Sequence, residues 1–155
     1  MGFESDDSTT PGLSLARVTA WLARHAEVAL AEVDLSLPQY RVLSLLAEGK
    51  ALPCSMAESL NLRRPSITAV VDGLVARGLV ERLPDKEDRR RVTHVITRPG
   101  RRLLVLADRK VEERLRLVAA AKGDRLAAAA AFEGLDVWGE LLQAWRREHR
   151  RAVRS

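Results

Sequence analysis

Residues 56–100 read MAESLNLRRPSITAVVDGLVARGLVERLPDKEDRRRVTHVITRPG, and this stretch decides the fold. Ala57, Leu60, Leu62, Ile67 and Val70 are spaced as in two short helices packed across a tight turn at Asn61-Leu62. The first spans about 53–60, with Pro53 in its opening turn, where a missing N–H costs nothing. The second runs from about Pro65 to Arg77, turns Ile67, Val70, Val71 and Leu74 inward, and stops at Gly78. Leu79 to Leu83 then reads as a strand and Pro84-Asp85-Lys86-Glu87-Asp88 as a turn. Val92 to Thr97 is the returning strand, with Val92, His94 and Ile96 on one face. The order is a helix-turn-helix followed by a β-wing.

Outward from this stretch the chain is helical. Leu15, Val18, Leu22, Ala26, Leu30 and Val33 recur at steps of three and four, which predicts a first helix over about 13–33. Ser36 and Gln39 stand at capping-box spacing and open a second helix that carries Tyr40, Leu43 and Leu46 and ends at Gly49. On the other side, Thr97 caps a helix with Pro99 just inside it, and Leu104, Val111, Leu115 and Val118 follow. Gly123 interrupts it. A last helical region holds the Ala127–Ala131 run, then Leu135, Trp138, Leu142 and Trp145, and arginines from Arg146 to Arg154 finish the chain. The end helices have apolar faces with little nearby to cover them; such faces meet each other or a second copy.

Composition narrows the function. Of 155 residues 30% are charged and 46% hydrophobic, enough for one compact domain with a modest core. The formal charge is +5, and arginine outnumbers lysine 22 to 4. A bias toward arginine codons accounts for much of that ratio, so position carries more weight than number. Aromatics are 4% of the chain, which argues against a stacking platform for single strands. The single cysteine, Cys54, forms no internal disulfide and fits a reducing cytoplasm. Cys54 reads as a small buried filler before it reads as a sensor. No apolar run approaches the roughly 20 residues of a membrane helix, and residues 1–12 read as a disordered lead-in rather than a signal peptide. We find no nucleophile–base set, phosphate-cradling glycine loop or Cys/His metal spacing, so an enzyme, a cofactor and a metal are not expected.

In order and spacing, SLPQYRVLSLLAEG, SMAESLNLRRPSITAVVDGLVARGLVER and DKEDRRRVTHVITRPG resemble the MarR family of winged-helix transcription regulators over about residues 35–105. The wing element appears as Asp88-Arg89-Arg90 and the strand-to-helix element as Ile96-Thr97 with Gly100. The resemblance implies a mainly α fold with a small β-wing. Residues 35–97 form the winged helix-turn-helix, and 13–34 with 98–150 form dimerisation helices. It implies a homodimer on a pseudo-palindromic operator of double-stranded DNA, released in many members by a small aromatic or phenolic effector or by an oxidant; of repressor and activator, we read the chain as a repressor. It also implies that Asp88 orients Arg90 into the minor groove, where a narrow A·T-rich tract concentrates negative potential.

The residues fit such a surface. Arg63, Arg64 and Pro65 stand at the start of the second short helix, whose free N–H groups and positive dipole end suit a phosphate. Ser66 and Thr68 can bond a base edge or a phosphate, although Ser66 also suits a helix start on its own account. At Ala69 the family often carries arginine or another polar residue; here a methyl can meet only a thymine methyl or nothing. Arg89, Arg90 and Arg91 crowd like charges on a turn, which an anion would relieve. Arg77 reads as a complement to its helix dipole, and His94 as a half-buried histidine with its hydrogen bonds made. Trp21, Arg24, His25 and Arg41 are candidates for an effector site, against the ordinary reading of aromatics at helical spacing as core. The alternative to DNA binding is a winged-helix adaptor for protein contact, which would have no need of Arg63, Arg64 and Arg90 on one surface.

Overall fold

The computed structural model describes residues 13–49, 64–84, 92–121 and 123–152, without the side chains of 64–66 and 149–152. Its elements are α1 (Leu15–Ala31), α2 (Leu37–Ala47), α3 (Arg64–Ala76), β1 (Val80–Pro84), β2 (Val92–Ile96), α4 (Arg98–Ala120) and α5 (Arg125–Ala152). The helix expected over 53–60 with Pro53 and Cys54, the Asn61-Leu62 turn and the lead-in 1–12 lie outside the described residues. The chain divides into a unit up to Glu112 and a unit from Glu113 onward.

In the first unit each helix begins and ends for a local reason. The Ser14 side chain accepts the Arg17 N–H at 3.4 Å and opens α1. Asp34, at φ 55°, reverses the chain after it, a conformation aspartate tolerates better than most residues. Ser36 and Gln39 then close the expected capping box, Ser36 N–H donating to Gln39 Oε1 at 2.9 Å and Gln39 N–H to Ser36 Oγ at 3.3 Å. Gly49 (φ 79°) and Gly78 (φ 67°) follow α2 and α3 in the left-handed region, as glycine does cheaply. Thr97 caps α4 by accepting the Gly100 N–H at 3.1 Å, and it donates its own hydroxyl to the Gly78 carbonyl at 2.8 Å.

The core joins these pieces. Leu30 of α1, Val42, Leu43, Leu45 and Leu46 of α2, Ile67, Val71 and Leu74 of α3, then Leu79, Val80, Ile96 and Ala107, are all buried in one cluster. The strands pair antiparallel, from Val80 opposite Ile96 to Pro84 opposite Val92. On this face burial runs from the Val80–Ile96 end as far as His94. Val92, expected on the inner face with His94 and Ile96, is 45% exposed while the other two are buried. Gly100 lets α4 start against this end. A Cβ there would collide with the Leu79 carbonyl oxygen and stand 2.9 Å from Ile96 Cγ1.

The second unit contains the end of α4 and all of α5. Gly123 (φ 73°) makes the turn. Asp124 Oδ1 accepts the N–H groups of Leu126 and Ala127, each at 3.0 Å, and so caps α5. The Arg116 guanidinium lies 4.8 Å from the Phe132 ring centroid. Leu135, Trp138, Leu142 and Trp145 are exposed along α5.

Candidate nucleic-acid interface

The periodicity of α3 fixes which of its side chains face out. Ile67, Val71 and Leu74 are buried, so Thr68 and Ala69 are turned outward and exposed. Arg64 and Pro65 are the first residues of α3 and Ser66 the next, in the turn whose N–H groups have no helical partner. Their side chains, and all of Arg63, Asp88, Arg89, Arg90 and Arg91, lie outside the described residues. Residues 85–91 connect the strands at the Pro84–Val92 pair, the exposed end of the hairpin.

Asp72 stands one helical turn beyond Thr68 and Ala69 on the same outward face, and its side chain is half exposed. An uncovered carboxylate on this outward face would repel any approaching anion. Arg82 of β1 covers it: its guanidinium ion-pairs with Asp72 Oδ1. The same contact ties the outward helix to the wing. Directly across the sheet from Arg82 is His94, which is buried. Among the described residues its Nδ1 has no hydrogen-bond partner, contrary to the expectation of a satisfied histidine. Burial first, and then the Arg82 charge, hold the imidazole below its ordinary pKa, while Asp72 pulls it upward.

Two further ties brace this surface. Arg77, at the end of α3, donates to the Asp34 carbonyl at 2.6 Å and lies 3.4 Å from its carboxylate. It thus joins α3 to the α1–α2 turn, a more specific role than complementing a dipole. Tyr40 of α2 donates to Asp108 Oδ1 of α4 at 2.7 Å, and burial together with this acceptor pushes its phenol up to about 12. None of Asp72, Arg82, Tyr40 or Asp108 stands out in the sequence as a functional residue. The one available signal was an acid at helical spacing from Thr68 and Ala69, which requires a cation from elsewhere in the fold.

The effector candidates are only partly brought together. Trp21 and His25 lie on one face of α1, their ring centroids 6.4 Å apart, with Trp21 55% exposed. Arg24 points along the same helix to Glu27 at 3.7 Å. Arg41 is exposed on α2. Among the described residues no helix is long and apolar enough to cross a membrane.

Comparison with known proteins places this geometry. A family model described as the MarR family matches residues 35–92. The chain is 33% identical over 111 residues to the uncharacterized HTH-type transcriptional regulator ML2140 of Mycobacterium leprae, covering 71% of this chain and 76% of that one. It is 34% identical over 86 residues to the HTH-type transcriptional regulator FarR of Neisseria gonorrhoeae, covering 55% of this chain and 59% of the relative. Among solved structures, apo MarR of E. coli matches with a TM-score of 0.67 at 24% identity, covering 79% of this chain and 93% of that one. The transcriptional repressor CouR bound to a 23-mer DNA duplex matches with a TM-score of 0.64 at 27% identity, covering 81% and 89%. CouR of Rhodococcus jostii RHA1 bound to p-coumaroyl-CoA matches with a TM-score of 0.61 at 28% identity, covering 78% and 85%.

Proposed function

The chain belongs to the MarR family, and from that premise we propose that it is a homodimeric, sequence-specific DNA-binding transcriptional regulator, a repressor of the genes beside its operator. One observation carries the reading. α3 buries Ile67, Val71 and Leu74 and turns Thr68 and Ala69 outward, while the Arg82–Asp72 pair neutralises the acid on that face and holds the wing to it. In this reading α3 enters the major groove. Arg63, Arg64, Pro65 and Ser66 meet phosphate at its start, Thr68 and Ala69 face base edges, and Arg90, oriented by Asp88 between Arg89 and Arg91, enters the adjacent minor groove.

Residues 13–34 and 98–150 form the dimer, whose symmetry sets half-sites about one helical turn apart. A small aromatic or phenolic effector binds near Trp21, Arg24, His25 and Arg41 and releases the duplex. The relative CouR, bound in separate structures to DNA and to p-coumaroyl-CoA, supports pairing these two kinds of ligand. The test is selection of bound duplexes from a random DNA pool, followed by titration of the selected and a scrambled duplex at several salt concentrations. A pseudo-palindrome bound well above the scrambled duplex, with affinity falling steeply as salt rises, is expected. Equal binding to both duplexes would overturn the reading.

A further inference from the structure

His94 is the one buried polar residue among the described side chains. A strand residue on an inner face is ordinarily apolar, and an imidazole there with an unpartnered Nδ1 is a cost the fold carries. Its placement gives that cost a use. His94 pairs across the sheet with Arg82, and Arg82 is the residue that ties β1 to Asp72 of α3. Wing and outward helix are thus joined by a cation–carboxylate pair with a titratable ring beside it.

We propose that His94 is a proton-sensitive positioning residue: neutral, it leaves Arg82 to Asp72 and keeps the wing locked to α3; protonated, it sets a second cation against Arg82, competes for the same carboxylate and loosens the wing. Resting on the DNA-binding reading above, this makes operator affinity fall in mild acid. Among the described residues the charged groups acting on the ring come from two elements, Arg82 from β1 and Asp72 from α3. α2, also packed on β2, brings Tyr40, which is bonded to Asp108, and Arg41 and Glu48, which are exposed. The first turns of α4 bring Arg98, Arg101 and Arg102, all exposed. Glu81, next to Arg82, is exposed as well. Among the described residues a proton on the ring therefore finds one nearby carboxylate, already in use, and a burial that disfavours charge. Protonation and opening of the hairpin from α3 go together, below the ordinary histidine range.

The test has two arms on the full chain. In the free protein, the imidazole resonances and the Arg82 side-chain Nε–H are followed by NMR from about pH 7.5 to about pH 5. The His94 signals are identified by their absence in His94→Val. The Arg82 signal should change with the His94 midpoint in the wild type and lose that step in the variant. An Arg82 signal that ignores His94 overturns the proposal. In the second arm a selected duplex is titrated at fixed ionic strength over the same range with wild type, His94→Val and His94→Gln. Acid tightens binding of a more positive protein in general, so the ratio is what is read. Wild type should lose roughly fivefold relative to either variant. Parallel pH profiles would overturn the proposal. A wild type that binds no duplex at any pH would defeat the DNA reading alone, since the first arm needs no DNA.

Discussion

The phenol of Tyr40 on α2 donates a 2.7 Å hydrogen bond to Asp108 Oδ1 on α4, joining two residues 68 positions apart. Burial, then the Asp108 hydrogen bond and charge, raise this phenol from 10.0 to about 12. The unfolded chain loses the proton first as pH rises. The stabilisation is therefore complete below pH 10 and disappears as pH climbs through about 12. Tyr40 is the only tyrosine, so an ultraviolet titration of phenolate reads it directly. The midpoint should lie near 12 in the wild type and fall in Asp108→Asn, though not to the free value, because burial is the larger cause. Tyr40→Phe should cost about 1 kcal/mol in urea unfolding, the usual net worth of such a bond.

Gly100 and Gly134 should respond oppositely to alanine. At Gly100 a methyl collides with the Leu79 carbonyl oxygen, and that oxygen also accepts the Thr97 N–H at 3.0 Å. That oxygen is hydrogen-bonded backbone, which cannot swing aside as a flexible side chain would. Gly100→Ala should cost about 3 kcal/mol or prevent folding. At Gly134, inside α5, an added methyl meets nothing, and alanine is the better helix former by about 1 kcal/mol. Thermal unfolding of the two variants side by side checks both signs; a stable Gly100→Ala would refute the close approach of α4 to β1.

Arg77 separates a hydrogen bond from an ion pair. Its guanidinium meets both the carbonyl and the carboxylate of Asp34, but that carboxylate is 95% exposed and screened by water. The carbonyl bond should dominate. Arg77→Ala should lose about 1 kcal/mol, whereas Asp34→Asn should be nearly neutral, since asparagine also tolerates φ 55°. Equal losses in chemical denaturation would show that the charge matters more than its exposure allows.

These residues show where sequence reading reaches its limit. Ser36 with Gln39, the stops at Gly49 and Gly78, and the Thr97 cap were legible because each is settled within four residues by backbone geometry. Ile67, Val71 and Leu74 were legible because a helix repeats its inner face. Val92 was misplaced because alternation gives a strand's face but not where the layer beneath it ends. Asp124, which caps α5, was passed over beside the more conspicuous Gly123. Asp72 with Arg82, Asp34 with Arg77 and Tyr40 with Asp108 are pairs made by the tertiary fold, and no local pattern announces which cation finds which acid. Gly100 was visible as part of a family motif; its reason, a backbone passing within a methyl's radius, was not.

The wing assignment makes a quantitative demand on salt dependence. If Arg90 sits in the minor groove while Arg63 and Arg64 meet phosphates, removing one class should differ from removing the other. Arg90→Ala should weaken binding and erase a preference for A·T-rich flanks. Arg64→Ala should weaken all duplexes alike and lower the salt slope by about one per site. Gel-shift titrations on duplexes differing only in their flanks distinguish the two. Unchanged flank preference in Arg90→Ala would remove it from the groove.

The proposed homodimer would use the apolar stripe of α5. Leu135, Trp138, Leu142 and Trp145 follow one another at steps of three, four and three, so they share a face, and each is more than a third exposed. A stripe of that size is costly to leave in water; burying such a side chain is worth about 1.5–3 kcal/mol. Covering the exposed part of this stripe on each of two copies offsets the loss of free motion on association, which is of order 10 kcal/mol. Trp138→Glu places a charge in the middle of the stripe and should convert the dimer to a monomer in sedimentation velocity. Duplex affinity should fall with it, because a monomer holds one half-site only. Glu140→Lys, off the stripe, controls for charge on the helix. A Trp138→Glu protein that sediments like the wild type would show that α5 does not carry the interface.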